Sequence, residues 1–122
     1  KGFKTVLCPG HKTYFDMAHN NSTFERGICW ASTIEVKEVF EWKPLQDYNS
    51  DDVVNILGIQ GQLWSETITN KDYFDAMINP RLAALAEIAW CSEAKRSWGH
   101  FRSSLMKNME YMTKMGWKFH DF

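Results

Sequence analysis

Val53-Val54-Asn55-Ile56-Leu57-Gly58-Ile59-Gln60-Gly61-Gln62-Leu63-Trp64 is the stretch on which the reading of this chain turns. It is dense in β-branched and other apolar residues and follows an acidic turn at Asn49 to Asp52, so it predicts a buried strand. Upstream, Lys4-Thr5-Val6-Leu7-Cys8-Pro9 is a shorter apolar run closed by Pro9-Gly10, which reads as another strand ending in a turn. His11 to Trp30 has no clean period and reads as a long loop, a kind of segment that is usually functional in a compact domain. After it, Ile34, Val36, Val39 and Phe40 predict a short helix, capped by Ser32 or Thr33 and stopped before Pro44.

Downstream of the decisive stretch, Asn79-Pro80 opens a helix to about Trp90, in which Leu82, Leu85, Ala86 and Ala89 recur at helical spacing. Trp98, Phe101, Leu105, Met109 and Met112 form the stripe of a final helix with Gly116 as its terminator. The order strand, loop, helix, strand, loop, helix, helix implies βα units and a parallel pair of strands. A parallel pair needs neighbours on both sides. The expectation is therefore an α/β chain excised from a larger fold, and the start Lys1-Gly2-Phe3-Lys4, with no signal-peptide pattern, agrees. Such a piece should expose its strand edges and the apolar faces that met the missing strands.

The chain has 122 residues, 44% of them hydrophobic and 24% charged, which is enough apolar material for a core and argues against disorder. Fourteen Lys and Arg against fifteen Asp and Glu leave no basic stripe, so nucleic acid is a poor partner. No apolar run approaches the roughly 20 residues of a membrane span. Cys8, Cys29 and Cys91 have no CxxC spacing and allow one bridge at most. His11 and His19 with Cys8 lack tight ligand spacing, so no metal or other cofactor is expected. Asn20 and Asn21 each start an Asn-x-Ser/Thr sequon, and His100 and His120 fall on a helix surface and in the tail.

Two clusters lie just after the two strands: Tyr14, Phe15 and Asp16 near the first, Trp64, Ser65 and Glu66 at the end of the second. In a βα barrel, ligand groups gather at the C-terminal ends of strands. An aromatic residue beside a carboxylate suits a sugar, whose CH face packs on the ring while its hydroxyls donate to the acid. Each pair is short and common, and core aromatics with solvated acids would look alike. Six Trp residues admit the same two readings, core filling or stacking on a flat ligand.

Taken together the clusters are more specific. Tyr14-Phe15-Asp16 resembles the Tyr-Leu-Asp motif after the seventh barrel strand of family 20 glycoside hydrolases, the β-N-acetylhexosaminidases and chitobiases. Gly58-Ile59-Gln60-Gly61-Gln62-Leu63-Trp64-Ser65-Glu66 resembles their eighth-strand Gly-Gly-x-x-x-x-Trp-x-Glu motif, and Pro80 to Trp90 resembles their Pro-Arg-x-x-Ala-x-x-Glu-x-x-Trp helix. Phe15 replaces the usual Leu, Gln60 and Gln62 stand inside the second motif, Ser65 replaces the common Gly, and Lys12-Thr13 stand where a Trp commonly precedes the tyrosine.

The resemblance implies the C-terminal fragment of a (β/α)8 TIM barrel: residues 1–48 as the seventh strand, long loop and helix, and residues 49–122 as the eighth strand and C-terminal helices. It implies an enzyme that releases terminal N-acetylhexosamine from oligosaccharides by substrate-assisted catalysis, in which the sugar's own 2-acetamido oxygen attacks the anomeric carbon. Tyr14 would hydrogen-bond the acetamido oxygen, Asp16 and Glu66 would bind outer hydroxyls, and Trp64 would wall the subsite. The family's Asp-Glu pair, which orients the acetamido group and protonates the leaving oxygen, belongs to an earlier strand. Asp51-Asp52 precedes a strand and contains no Glu, so the isolated fragment should be inactive without the remainder of its catalytic domain. Arg81 and Glu87 are expected to be structural, in an ion pair or bonded to loop carbonyls. An extracellular, periplasmic or lysosomal location goes with such a family. A small non-catalytic carbohydrate-binding or interaction module is the alternative.

Overall fold

A computed structural model describes residues 2–22 and 25–122. Thr23 of the second sequon lies outside them. Strand β1 (Thr5–Leu7) leads through Pro9 into a helical turn, α1 (Gly10–Thr13), and a folded loop reaches α2 (Val36–Glu41). A second turn, α3 (Ser50–Val53), precedes strand β2 (Ile56–Ile59). Helices α4 (Lys71–Ile78), α5 (Arg81–Trp90) and α6 (Trp98–Lys114) complete the order, with a 3-10 turn at Glu93–Lys95.

The two strands are parallel, with Val6 opposite Gly58 and Leu7 opposite Ile59. Pairing resumes beyond α1: Gln62 N–H donates to the Thr13 carbonyl at 2.8 Å and Phe15 N–H to the Gln62 carbonyl at 2.7 Å. The ladder thus carries the segments after both strands side by side. β2 is shorter than the Val53 to Trp64 run that the sequence suggested, because Asn49 caps α3 by accepting from Asp52 N–H at 2.9 Å. Asp51 and Asp52 in that first turn also favour helix over strand at its N-terminus.

One core cluster joins Phe15, Met17 and Ile34 of the loop, Val36, Val39 and Phe40 of α2, Ala84, Leu85 and Ile88 of α5, and Phe101 and Leu105 of α6. Phe40 stacks on Phe101 at 4.9 Å between ring centroids, and Trp98 closes the edge of that pair. The start of the expected α6 stripe, Trp98 and Phe101, is therefore what meets α2. At its end, Gly116 takes φ +83, its N–H bonds the Thr113 carbonyl and the Trp117 N–H bonds that of Met112. This pair of reversed bonds satisfies the last carbonyls of the helix, the role expected of Gly116.

α4 is an addition to the sequence reading. Its cap is Asn70, whose Oδ1 accepts from Tyr73 N–H at 2.9 Å, and it buries Asp75 and Met77. The long loop also carries more order than its composition suggests. Ala18 N–H donates to Ile28 O at 2.8 Å and Ile28 N–H to Asp16 O at 3.0 Å, folding the loop back on itself. Gly27 makes this approach feasible: with φ +114, a Cβ there would lie 2.9 Å from the Asp16 carbonyl oxygen.

Candidate functional site

The resumed ladder sets Tyr14 and Trp64 near each other. Tyr14 leaves α1 in extended conformation and bridges Gln62, two residues before Trp64. Their rings lie 6.1 Å apart at 58°, and the ring of Trp30 also lies 6.1 Å from that of Tyr14, at 78°. Trp30 and Trp64 are 69% and 51% exposed, a strong departure for the residue type that most favours partial burial. Trp30 belongs to no short motif of the sequence; only the loop's folding brings it to Tyr14.

Asp16, two residues after Tyr14, has 1% of its surface exposed. Its Oδ1 accepts from the Trp64 backbone N–H at 3.3 Å, which ties the two clusters together across 48 residues of sequence. Its Oδ2 is buried and has no hydrogen-bond partner among the described residues. An unpaired buried carboxylate oxygen is costly and calls for an explanation such as a ligand donor. Glu66 stands exposed in the turn that follows Trp64. Thus Tyr14, Asp16 and Trp64 converge, and Glu66 sits next in sequence at the solvent side.

Gly61 supports the convergence. A Cβ there would meet Phe15 Cε2 at 2.7 Å and Leu85 Cδ2 at 3.0 Å, so the segment after β2 lies close against the Phe15 ring because position 61 has no side chain. Beneath Phe15, Arg81 is 0% exposed. It donates to the carbonyls of Phe15 (2.7 Å), Met17 (2.8 Å), Ile34 (3.1 Å) and, from Nε, Met77 (3.1 Å), with a further Nη2 bond to Met77. Of the two structural roles expected for Arg81, the bond to loop carbonyls is the one found; each such carbonyl left buried and unpaired would cost about 1–3 kcal/mol. Burial pulls its pKa down to about 9, opposed by the charges of Glu25 and Asp16. Glu87 instead accepts the Cys91 backbone N–H on its carbonyl at 2.9 Å, and its carboxylate beside the Cys91 thiol raises the thiol's pKa.

Away from the site, His19 stacks on His120 with ring centroids 3.6 Å apart, and His120 Nε2 meets Glu25 Oε2 at 2.9 Å. The tail position expected for His120 is thus a packed one. Burial, then the charges of Arg81 and His120, lower the His19 pKa to about 2, and its Nε2 lies 3.1 Å from the Ala76 carbonyl. No group of three metal-ligating side chains occurs among the described residues, Cys8, Cys29 and Cys91 are free, and no described helix is long and apolar enough to cross a membrane.

Residues 1–93 match the sequence family described as glycosyl hydrolase family 20, catalytic domain. The chain belongs to family 20. Among its relatives, a β-N-acetylhexosaminidase of Cellulomonas fimi is 29% identical over 119 residues, 98% of this chain and 24% of the relative. A β-hexosaminidase of Vibrio furnissii is 40% identical over 88 residues, 70% of this chain and 14% of the relative. In structure, the family 20 exo-β-N-acetylglucosaminidase of Vibrio harveyi, solved with N-acetylglucosamine, superposes with a TM-score of 0.91 at 34% identity, over 98% of this chain and 19% of that one. The family 20 β-N-acetylhexosaminidase of Streptomyces coelicolor gives 0.89 at 27% identity, over 99% of this chain and 24% of that one. The chain therefore spans a quarter or less of the length of these family 20 enzymes.

Proposed function

We propose that this chain is the part of a β-N-acetylhexosaminidase catalytic barrel that holds the seventh and eighth strands, β1 and β2, and that it supplies part of the subsite for a terminal N-acetylhexosamine. Residues 1–48 carry the seventh strand, its loop and helix, and residues 49–122 carry the eighth strand and the C-terminal helices. Asp16 carries the reading. It is a buried carboxylate with one oxygen tied to the Trp64 backbone and the other without a partner among the described residues, two positions from Tyr14, whose ring neighbours the exposed rings of Trp30 and Trp64. A sugar presents hydroxyl donors for such an oxygen and CH faces for such rings.

In this reading Asp16 and Glu66 accept bonds from the outer hydroxyls, and Trp64 forms the apolar wall of the subsite. The Tyr14 hydroxyl donates to the acetamido oxygen and holds it near the anomeric carbon, so that this oxygen displaces the leaving group and no enzyme carboxylate forms a bond to the sugar. The proton donor comes from the remainder of the catalytic domain, and the 122 residues alone do not hydrolyse the substrate.

The test is steady-state hydrolysis of a p-nitrophenyl β-N-acetylglucosaminide by the full-length protein that contains this chain. Asp16→Asn keeps the shape and halves the acceptor capacity, and it should lower kcat/KM by about 100-fold, the scale of one lost charged bond in the transition state. Tyr14→Phe should lower kcat more than it raises KM. Unchanged kinetics in Asp16→Asn would remove the proposed subsite.

A further inference from the structure

Arg81 is a buried cation whose charge no carboxylate neutralises through a direct ion pair among the described residues; it bonds backbone carbonyls alone. Burying an ion in this way is expensive, and the cost is offset by the four backbone carbonyls that it keeps hydrogen-bonded. What the guanidinium adds is direction. Its planar fork reaches the carbonyl of Phe15 at 2.7 Å and that of Met17 at 2.8 Å, the residues on either side of Asp16. The same group lies 5.5 Å from the centroid of the Phe15 ring, whose Cε2–Cζ edge lies close against Gly61 of the segment leading to Trp64.

Ile34, at the far end of the loop, gives its carbonyl to the same fork at 3.1 Å, and Met77, in α4, gives its carbonyl to Nε at 3.1 Å. One side chain therefore sets the start of the loop, the end of the loop and α4 in fixed relation. With the Phe15–Asp16 unit and the Met17–Ala18 unit both held, the Asp16 backbone between them has little freedom to redirect its side chain. Fork geometry holds them in a way that the point charge of a lysine does not.

We propose that Arg81 is a positioning residue for sugar binding: by fixing the Phe15–Asp16 peptide unit and the Met17–Ala18 unit one step further on, it sets the approach of the Asp16 carboxylate and the Tyr14 ring to the sugar. This rests on the subsite assigned to Asp16 above. Arg81 touches no substrate; it acts through the loop.

The full-length protein is compared with Arg81→Lys, Asp16→Asn and the double variant, each checked for folding by thermal melting. The readouts are kcat and KM on the p-nitrophenyl glycoside and the affinity for N-acetylglucosamine-thiazoline. Folded Arg81→Lys should lose about tenfold or more in kcat/KM and in thiazoline affinity together, as expected when a binding group is displaced by a fraction of an ångström. In the Asp16→Asn background the same change should cost about twofold or less, because the route from Arg81 to the sugar is then already cut.

A folded Arg81→Lys with unchanged kinetics, or equal losses in both backgrounds, overturns the inference and leaves Arg81 a scaffold residue. Should Arg81→Lys not fold, Gly27→Ala, checked for folding in the same way, displaces the Asp16–Met17 peptide that lies between the two units held by Arg81, since its Cβ would lie 2.9 Å from Asp16 O. It should reproduce the coupled loss, and full activity in Gly27→Ala overturns the inference equally. Full activity in Asp16→Asn itself would instead sink the assignment of the subsite, and this inference with it.

Discussion

His19 shows how much one side chain can disclose about its surroundings. It is buried against His120 and Ala76, and its pKa is held at about 2 by burial, then by Arg81 and His120, so it is neutral in the folded chain at any ordinary pH. In the unfolded chain an exposed histidine takes up its proton below about pH 6.5. Between those values the unfolded state binds more protons than the folded one, so stability rises with pH and falls on acidification. The His19 contribution lost should be about 1.4 kcal/mol per pH unit below about 6.5, or about 2 kcal/mol at pH 5. Urea unfolding of the full-length protein at pH 7 and pH 5 checks this against His19→Gln, whose amide can still donate to Ala76. The variant should lose less stability between the two pH values; parallel losses would show that His19 is not the group responsible.

At the scale of elements, legibility followed the strength of local signals. The α5 start at Asn79-Pro80 and the α6 stop at Gly116 were readable because caps and terminators act through the backbone within a few residues. Pro80 itself proved to be the cap position, with Arg81 the first helical residue. α4 was not readable: its buried residues are Asp75 and Met77, and Asp75 accepts from Lys71 at 2.5 Å and from the Lys118 backbone at 3.3 Å, so its inward face is marked by a carboxylate. The signal that could have found it was Asn70, and Asn70→Ala should destabilise the protein by about 1 kcal/mol, seen as a lowered thermal midpoint. No change would mean that α4 is held by its tertiary bonds alone. The site divides the same way. Tyr14, Asp16, Trp64 and Glu66 lay in motifs after strands, whereas Trp30 reaches Tyr14 only because the loop folds back through the Met17 and Ile28 bridge, a non-local event with no short pattern behind it.

For the whole molecule, the two-stranded sheet is the central fact. Among the described residues β1 and β2 pair only with each other, while Leu57 is 66% exposed and Val54, Phe3 and Trp90 lie open to solvent. A groove of about 490 Å³ between β2, the end of α5 and the turn after α2 includes Arg96, whose Nε is buried without a partner among the described residues. Exposed parallel strand edges and apolar faces of this kind are what a segment of a larger α/β fold presents to the rest of it. The chain's coverage of a quarter or less of its family 20 relatives fits the same account. In that setting the proposed task of the segment is to hold one wall of a sugar subsite. The measurement that tests this most directly is calorimetric titration of N-acetylglucosamine-thiazoline into the full-length protein and its Asp16→Asn variant. The account predicts saturable binding by the parent protein and an affinity about tenfold or more weaker in the variant, the loss of roughly one charged hydrogen bond. Equal affinities in two folded proteins would contradict it, because the sugar would then be bound without the carboxylate around which these loops are built.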